Sequence, residues 1–236
     1  MPDLPDRTSP KAARILAAAG EMLRARGNRG ITIAEVARKA HVGKGTVYLY
    51  WATKEDLLVE LIGRDFLAVA DEHIAILTAD PELARPSRML PHLLGTAADH
   101  YFVSALDGED DELLGVLVAD PRAKRLVDTL GPRAVMHRVL PLWRRDGLAR
   151  TDWALTDQAF ALHALITGFV VAQQKHNPPL EIVDSGKVLG AAVTALLGPE
   201  RADAEQLRNT AADGLRMLTE IRDTVLEIIK DATVSG

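Results

Sequence analysis

The sequence predicts an all-α protein, with a small three-helix head containing a helix-turn-helix and a larger helical bundle behind it. Three observations carry this. Apolar residues recur at spacings of three and four almost throughout, while the alternation expected of strands is scarce. Capping signatures stand just before the apolar stripes, and prolines and glycines punctuate them. The 236 residues are 47 % hydrophobic and 26 % charged, a globular balance with enough chain to bury a core. The predicted boundary separates a head of residues 1–53 from a bundle of residues 54–236.

Ser9-Pro10 opens the first helix, with serine as the N-cap and proline at the first helical position. Its stripe is Ala12, Leu16, Ala19 and Leu23, widened by Ile15 and Met22, and Gly27, Asn28 and Gly30 end it. Thr32-x-x-Glu35 has the spacing of a capping box, in which the hydroxyl and the carboxylate each satisfy a backbone N–H of the other. The short helix that follows buries Ile33, Val36, Ala37 and Ala40. A three-residue turn, His41-Val42-Gly43, leads to Lys44–Trp51. Thr53-x-x-Asp56 is a second capping box and starts a helix through about Leu77. Further helices are expected near 87–106, 112–119, 122–147, 152–175, 182–197 and 200–230.

Charge is distributed unevenly along the chain. The net value of −5 argues against nucleic acid as a partner. Residues 1–54, however, hold ten basic and four acidic side chains, a net +6, which leaves −11 on the remainder. A basic end on an acidic body is the asymmetry of a chain with a nucleic-acid-binding head. The absence of cysteine excludes disulfides, thiolate metal sites and cysteine nucleophiles. Acids and prolines in Met1–Asp6 are unlike a signal peptide. The longest uncharged run, between Asp157 and Lys175, contains His163, Gln173 and Gln174 and reads as a buried helix, so a cytoplasmic protein with no membrane partner is expected.

Two short helices joined by a tight turn, with a third packed behind, make a helix-turn-helix whose second helix enters the major groove. Val47 must face inward onto Ile33, Val36 and Ala37. Lys44, Gly45, Thr46 and Tyr48 then lie at the exposed end. Lysine there reaches a guanine edge or a phosphate, threonine bonds either, and glycine lets the backbone approach closely. The hydroxyls of Tyr48 and Tyr50 suit phosphate oxygens, whereas Trp51 belongs to the core. Gly43-Lys44-Gly45-Thr46 only superficially resembles a phosphate-binding loop. That motif needs Ser or Thr directly after the Lys and Gly five residues before it, and these positions are Gly45 and Lys39.

The stretch Ile15–Leu58, with Ile33-Ala34-Glu35-Val36-Ala37, Val42-Gly43-Lys44-Gly45-Thr46-Val47-Tyr48-Leu49-Tyr50-Trp51 and Lys54-Glu55-Asp56-Leu57-Leu58, resembles the DNA-binding head of TetR-family transcriptional regulators. It departs from the family pattern at His41, where glycine is usual in the turn, and at Gly43, where serine is usual as the cap. The resemblance implies that Thr32, Lys44, Thr46, Tyr48, Tyr50 and Lys54 touch DNA. It also implies that the body is a helical ligand-binding and dimerisation bundle.

No catalytic constellation and no metal-ligand spacing is visible after Glu55, so neither enzymatic activity nor a metal or cofactor is expected. A small-molecule pocket between central helices has Tyr101, Phe102, His137, Trp143 and His163 as its candidates. In the resembled family the last two core helices pair with their copies, which assigns Leu162, Ile166, Phe169, Leu189, Val193 and Leu196 to a dimer interface. Beyond them, Ala204, Leu207, Ala211, Gly214, Leu218, Ile221, Val225 and Ile228 recur in threes and fours, and this extension is expected along the dimer surface or on the bundle. The implied function is a homodimeric repressor of a pseudo-palindromic double-stranded operator, released by a small-molecule effector. A ligand-independent architectural DNA binder, and an all-α small-molecule-binding protein or enzyme, stay open at this level.

Overall fold

Capping chemistry fixes where the head helices begin. The computed structural model describes residues 9–26, 31–100, 120–130, 132–174 and 182–232, and among them no strand occurs. Helix α1 runs Pro10–Arg26, and the Ala12 amide donates to Ser9 Oγ at 3.3 Å. Helix α2, Ile33–Lys39, carries the complete capping box of Thr32 and Glu35. It ends in a left-handed residue. His41 has φ of 55°, the Val42 amide reaches back to Ala37 O at 2.9 Å, and His41 N bonds Arg38 O at 3.2 Å. This is a Schellman closure with histidine in the place glycine usually takes. Helix α3 is Lys44–Tyr48, shorter than the predicted Lys44–Trp51, because Leu49 and Tyr50 complete a tightening last turn whose Trp51 N–H still bonds Val47 O at 3.0 Å. Helix α4, Lys54–Ala79, starts at the Thr53–Asp56 box, with both reciprocal bonds at 3.0 Å.

A short 3-10 turn, Pro81–Ala84, leads to α5, Pro86–Asp99. The helix expected over 122–147 is two, α6 at Pro121–Leu130 and α7 at Pro132–Arg145. Pro132, which has no N–H and restrains the residue before it, opens the second. Helix α8 covers Leu155–Gln174, α9 Ser185–Leu197 and α10 Ala204–Ala232. The segment expected as a helix at 112–119 lies outside the described residues.

The described residues fall into two compact units. One holds α1 to α3, α4 as far as Ala68, residues 120–128 and the chain from Arg222. Its core includes Ile15, Leu23, Val36, Val47, Trp51, Leu57, Leu58 and Ile62. Here the end of α10 lies close on α4, since a Cβ on Gly63 would stand 2.8 Å from Ile229 Cγ1. Arg122 ties three elements together, pairing with Asp120 and Asp56 at 2.7 Å each and donating to Asp231 O at 3.3 Å.

The other unit holds residues 69–100 and 129–221, around a core that includes Leu77, Leu90, Leu140, Trp143, Leu148, Leu162, Leu189, Val193 and Ile221. Helices α5 and α9 make its closest approach, because Gly190 lies so near Ser87 that a Cβ would stand 2.7 Å from the Ser87 carbonyl oxygen. The smallness of Gly190 thus serves packing within the chain. The extension beyond residue 200 is likewise docked on its own chain, with Leu207, Ala211, Ile221, Val225 and Ile228 buried.

Candidate nucleic-acid interface and effector cavity

Each residue of α3 faces the side its helical angle dictates. Val47 is fully buried on the head core, while Lys44, Gly45 and Tyr48 are exposed. Lys44 Nζ lies 5.6 Å from the centroid of the Tyr48 ring one turn along, so the two side chains form one cationic and aromatic surface. A Cβ at Gly45 would meet nothing within 4 Å. Packing inside the chain therefore does not demand glycine there, whereas close approach of another molecule would. Thr46 is half-buried behind this surface, and Gly43 caps the helix with no side-chain bond.

Tyr50 and Trp51 pin the far end. The Tyr50 hydroxyl is 2.6 Å from Ser9 Oγ, so it bridges to the cap of α1 and keeps capacity for one further bond. Trp51 is buried, and its indole N–H donates to Glu60 Oε2 at 2.5 Å. Glu60 is itself fully buried and accepts from Arg64 Nε at 2.8 Å on its other oxygen. This buried carboxylate locks the segment that follows α3 to α4. Thr32 is exposed at the start of α2, its hydroxyl donating to Glu35 at 2.8 Å, and Lys54 begins α4. Leu49, not singled out from the sequence, is 74 % exposed beside Tyr48. The signal was available: with Val47 inward, a step of two residues, near 200°, turns Leu49 outward.

The second unit encloses a cavity of about 50 Å³ lined by His73, Leu77, Met89, Leu93, Met136, Val139, Trp143, Met217 and neighbours. Of the three candidate ligand residues that are described, only Trp143 is in its wall. Its ring is buried and its N–H donates to Ala84 O at 2.9 Å. His137 is exposed on α7, and His163, half-buried on α8, is not in the wall. Tyr101 and Phe102 lie outside the described residues. Sequence reasoning passed over His73 as one of several histidines scattered without metal-ligand spacing; its position three and four residues from Ala70 and Leu77 on an apolar stripe was the signal that could have found it.

His73 is buried, and its Nδ1 stands 2.6 Å from Val69 O. Burial holds its pKa below the ordinary imidazole value. The Val69 carbonyl and Glu72 pull the other way, while His92 and His100 reinforce burial. On unfolding the ring regains its usual pKa of about 6.5. Below that value the unfolded chain binds more protons than the native one, so acidification removes stability, and the loss stops growing once the native ring protonates. Denaturant unfolding followed from about pH 7.5 to about 5 should show this decline, and His73→Gln should flatten it. An identical slope in the variant would assign the decline to other groups. Asp146, held low chiefly by Arg145 and also by Thr210, acts only in the more acidic carboxylate range.

The predicted dimer residues divide. Leu162, Ile166, Leu189 and Val193 are buried in the core of their own chain. Phe169 and Leu196 are half-buried against the same core. The outward stripes of the same helices carry Phe160, 73 % exposed, with Ala164, Gly168 and Val171 on α8, and Val188, 50 % exposed, with Ala191 and Ala195 on α9. By length and composition α8 could also cross a membrane, because it is apolar on both its buried and its outward side.

Residues 15–61 match the family of bacterial regulatory proteins, tetR family. Over 198 residues the chain is 24 % identical to the fatty acid metabolism regulator protein of Bacillus subtilis (strain 168), a similarity that covers 75 % of this chain and 95 % of that protein. The solved structure of the fatty acid degradation regulator FadR from Bacillus halodurans has the same fold, with a TM-score of 0.53 at 21 % identity over 83 % of this chain and 98 % of the other.

Proposed function

We propose that this chain, a tetR-family bacterial regulatory protein by the head it carries, is a sequence-specific repressor that binds its operator as a homodimer and leaves it when a small apolar effector occupies the body. The observation that carries the DNA reading is the face of α3. Lys44, Gly45 and Tyr48 are exposed on a helix whose opposite side is anchored through Val47 and Trp51. In this reading Lys44 and Thr46 meet base edges or phosphates, Leu49 meets a thymine methyl or a sugar, and Thr32, Tyr48, Tyr50 and Lys54 hold the backbone on either side.

A dimer presents two such heads to successive major grooves about 34–36 Å apart, on a pseudo-palindromic site. The outward apolar stripes of α8 and α9, headed by Phe160 and Val188, support a second copy of the chain as what covers them. An apolar cavity supports an apolar effector, and the name of the Bacillus subtilis relative, a fatty acid metabolism regulator, points to an aliphatic chain as its apolar part. Such a ligand releases DNA only if it favours a conformation in which the heads no longer fit the site. Helix α4 supplies the lever, since Lys54 and His73 belong to one continuous helix. The protein acts where the chromosome is, in the cytoplasm.

Selection of bound fragments from genomic DNA, followed by band shifts at physiological salt, tests the reading. Lys44→Ala and Tyr48→Ala should each weaken the selected site by about 10- to 100-fold, the equivalent of about 1–3 kcal/mol for a lost contact, while dimerisation is unchanged. Unaltered affinity in both variants would remove α3 as the recognition element.

A further inference from the structure

We propose that the cavity around His73 and Trp143 selects an apolar effector that offers a hydrogen-bond donor, a hydroxyl or an amide N–H, to Nε2 of His73. The proposal rests on reading the body as effector-binding and adds the chemistry that the effector must carry. A carbonyl oxygen only accepts, so the 2.6 Å contact between His73 Nδ1 and Val69 O places the ring proton on Nδ1. Burial keeps the ring neutral, which leaves a bare lone pair on Nε2. That nitrogen is buried and has no hydrogen-bond partner among the described residues.

The other polar side chains of the wall are already committed. Trp143 Nε1 donates to Ala84 O, and the Thr210 hydroxyl donates to Asp146 Oδ2 at 2.6 Å. The remaining lining residues are apolar, apart from Gly214. Among the described wall side chains no donor is therefore left to read a ligand: the spare lone pairs of the Thr210 oxygen and of His73 Nε2 only accept, and of the two atoms Nε2 alone has no partner. A hydroxyl satisfies it. An ether oxygen or a carboxylate would set one lone pair against another, with no other donor in the wall to compensate. His92 stands edge-on to His73 with ring centroids 5.6 Å apart, and its own Nε2 has no hydrogen-bond partner among the described residues.

The wall can also yield. Three of the chain's five methionines, Met89, Met136 and Met217, line this cavity. Unbranched thioether chains rearrange around a guest at low cost, so a small cavity can open to a longer ligand.

The test uses the full chain and three probes of equal carbon number: 1-hexanol, its isomer methyl pentyl ether, and hexanoate. Affinity and net proton exchange are measured by calorimetry in two buffers of different ionisation heat, and the side-chain nitrogen resonances of His73 locate binding. The expected result is that hexanol binds at least about tenfold more tightly than the ether, with no proton uptake and with a shift of the His73 Nε2 resonance. His73→Leu should erase that preference while the ether still binds. Equal binding of hexanol and ether in the native chain would overturn the donor requirement and leave the effector reading standing. Tightest binding of hexanoate, with uptake of about one proton, would also overturn it by making His73 a cation in the complex. If no probe moves the His73 resonances, the cavity is not the ligand site, and the effector reading falls with the proposal.

Discussion

Phe160→Asp combined with Val188→Asp should turn the dimer into monomers and weaken operator binding by about 10²- to 10⁴-fold. Both side chains are largely exposed in the single chain, so the charges cost little there. In a dimer closed across these stripes each aspartate is buried twice, once per copy, without a partner. The loss on DNA exceeds the loss of any one contact because the second head no longer binds as a tethered neighbour of the first. Sedimentation velocity and band shifts with the same preparations check this. A sedimentation coefficient equal to that of the native protein would place the interface elsewhere. Leu162→Ala supplies the contrast: it should lower stability by about 2–5 kcal/mol, as a core truncation does, and leave the association constant of the folded protein unchanged.

Arg64→Met should destabilise the head by about 3–5 kcal/mol, because it strips the ion-pair partner from a carboxylate that is fully buried. Glu60 would keep only the Trp51 indole N–H. Replacing the network together, with Trp51→Phe, Glu60→Leu and Arg64→Met, should recover most of the loss, since an apolar set of similar volume has no charge to desolvate. Operator affinity should fall in the single variant at temperatures where the fold is still intact, because Trp51 ends the segment that α3 begins. Denaturant unfolding gives the stability, and band shifts below the onset of unfolding give the affinity. A single variant within about 1 kcal/mol of native would mean that the contact with Arg64 contributes little to the stability of the head.

The head was legible because its signals are local. Thr32 with Glu35 and Thr53 with Asp56 announce helix starts within four residues, and the structure contains both boxes. His41 in the turn was readable as a left-handed position for the same reason, since backbone sterics act over one residue. Val47 inward and Tyr48 outward follow from 100° per residue. What local reasoning missed in the head is the bond between Trp51 and Glu60. A glutamate on a predicted helix is ordinarily solvated, and only the return of α4 against Trp51 buries it.

The body was far less legible, for a physical reason visible in α8. A helix that is apolar all round has no moment to say which side faces its own core and which faces a partner. Leu162 and Ile166 were the natural choice for an interface, yet they fill the chain's own interior, and Phe160 and Val171 are left outside. The cavity shows the same limit. His137 and Trp143 sit on one helix, but about one and two-thirds turns of rotation separate an exposed ring from a wall. His73 entered from a different helix altogether.

Thus the sequence by itself determined the helical class, the capped three-helix head and the side of α3 that meets solvent. It determined these because capping, turn sterics and helical periodicity are set by residues within a few positions of one another. Only the tertiary structure decided which apolar faces of α8 and α9 are spent on the chain's own core. It alone brought Trp51, Glu60 and Arg64 into one network, and it alone left Nε2 of His73, a residue of the cavity wall, buried without a hydrogen-bond partner among the described residues. Those outcomes depend on which helices pack together, and burial and pairing energies are properties of the assembled neighbours, not of any stretch of chain.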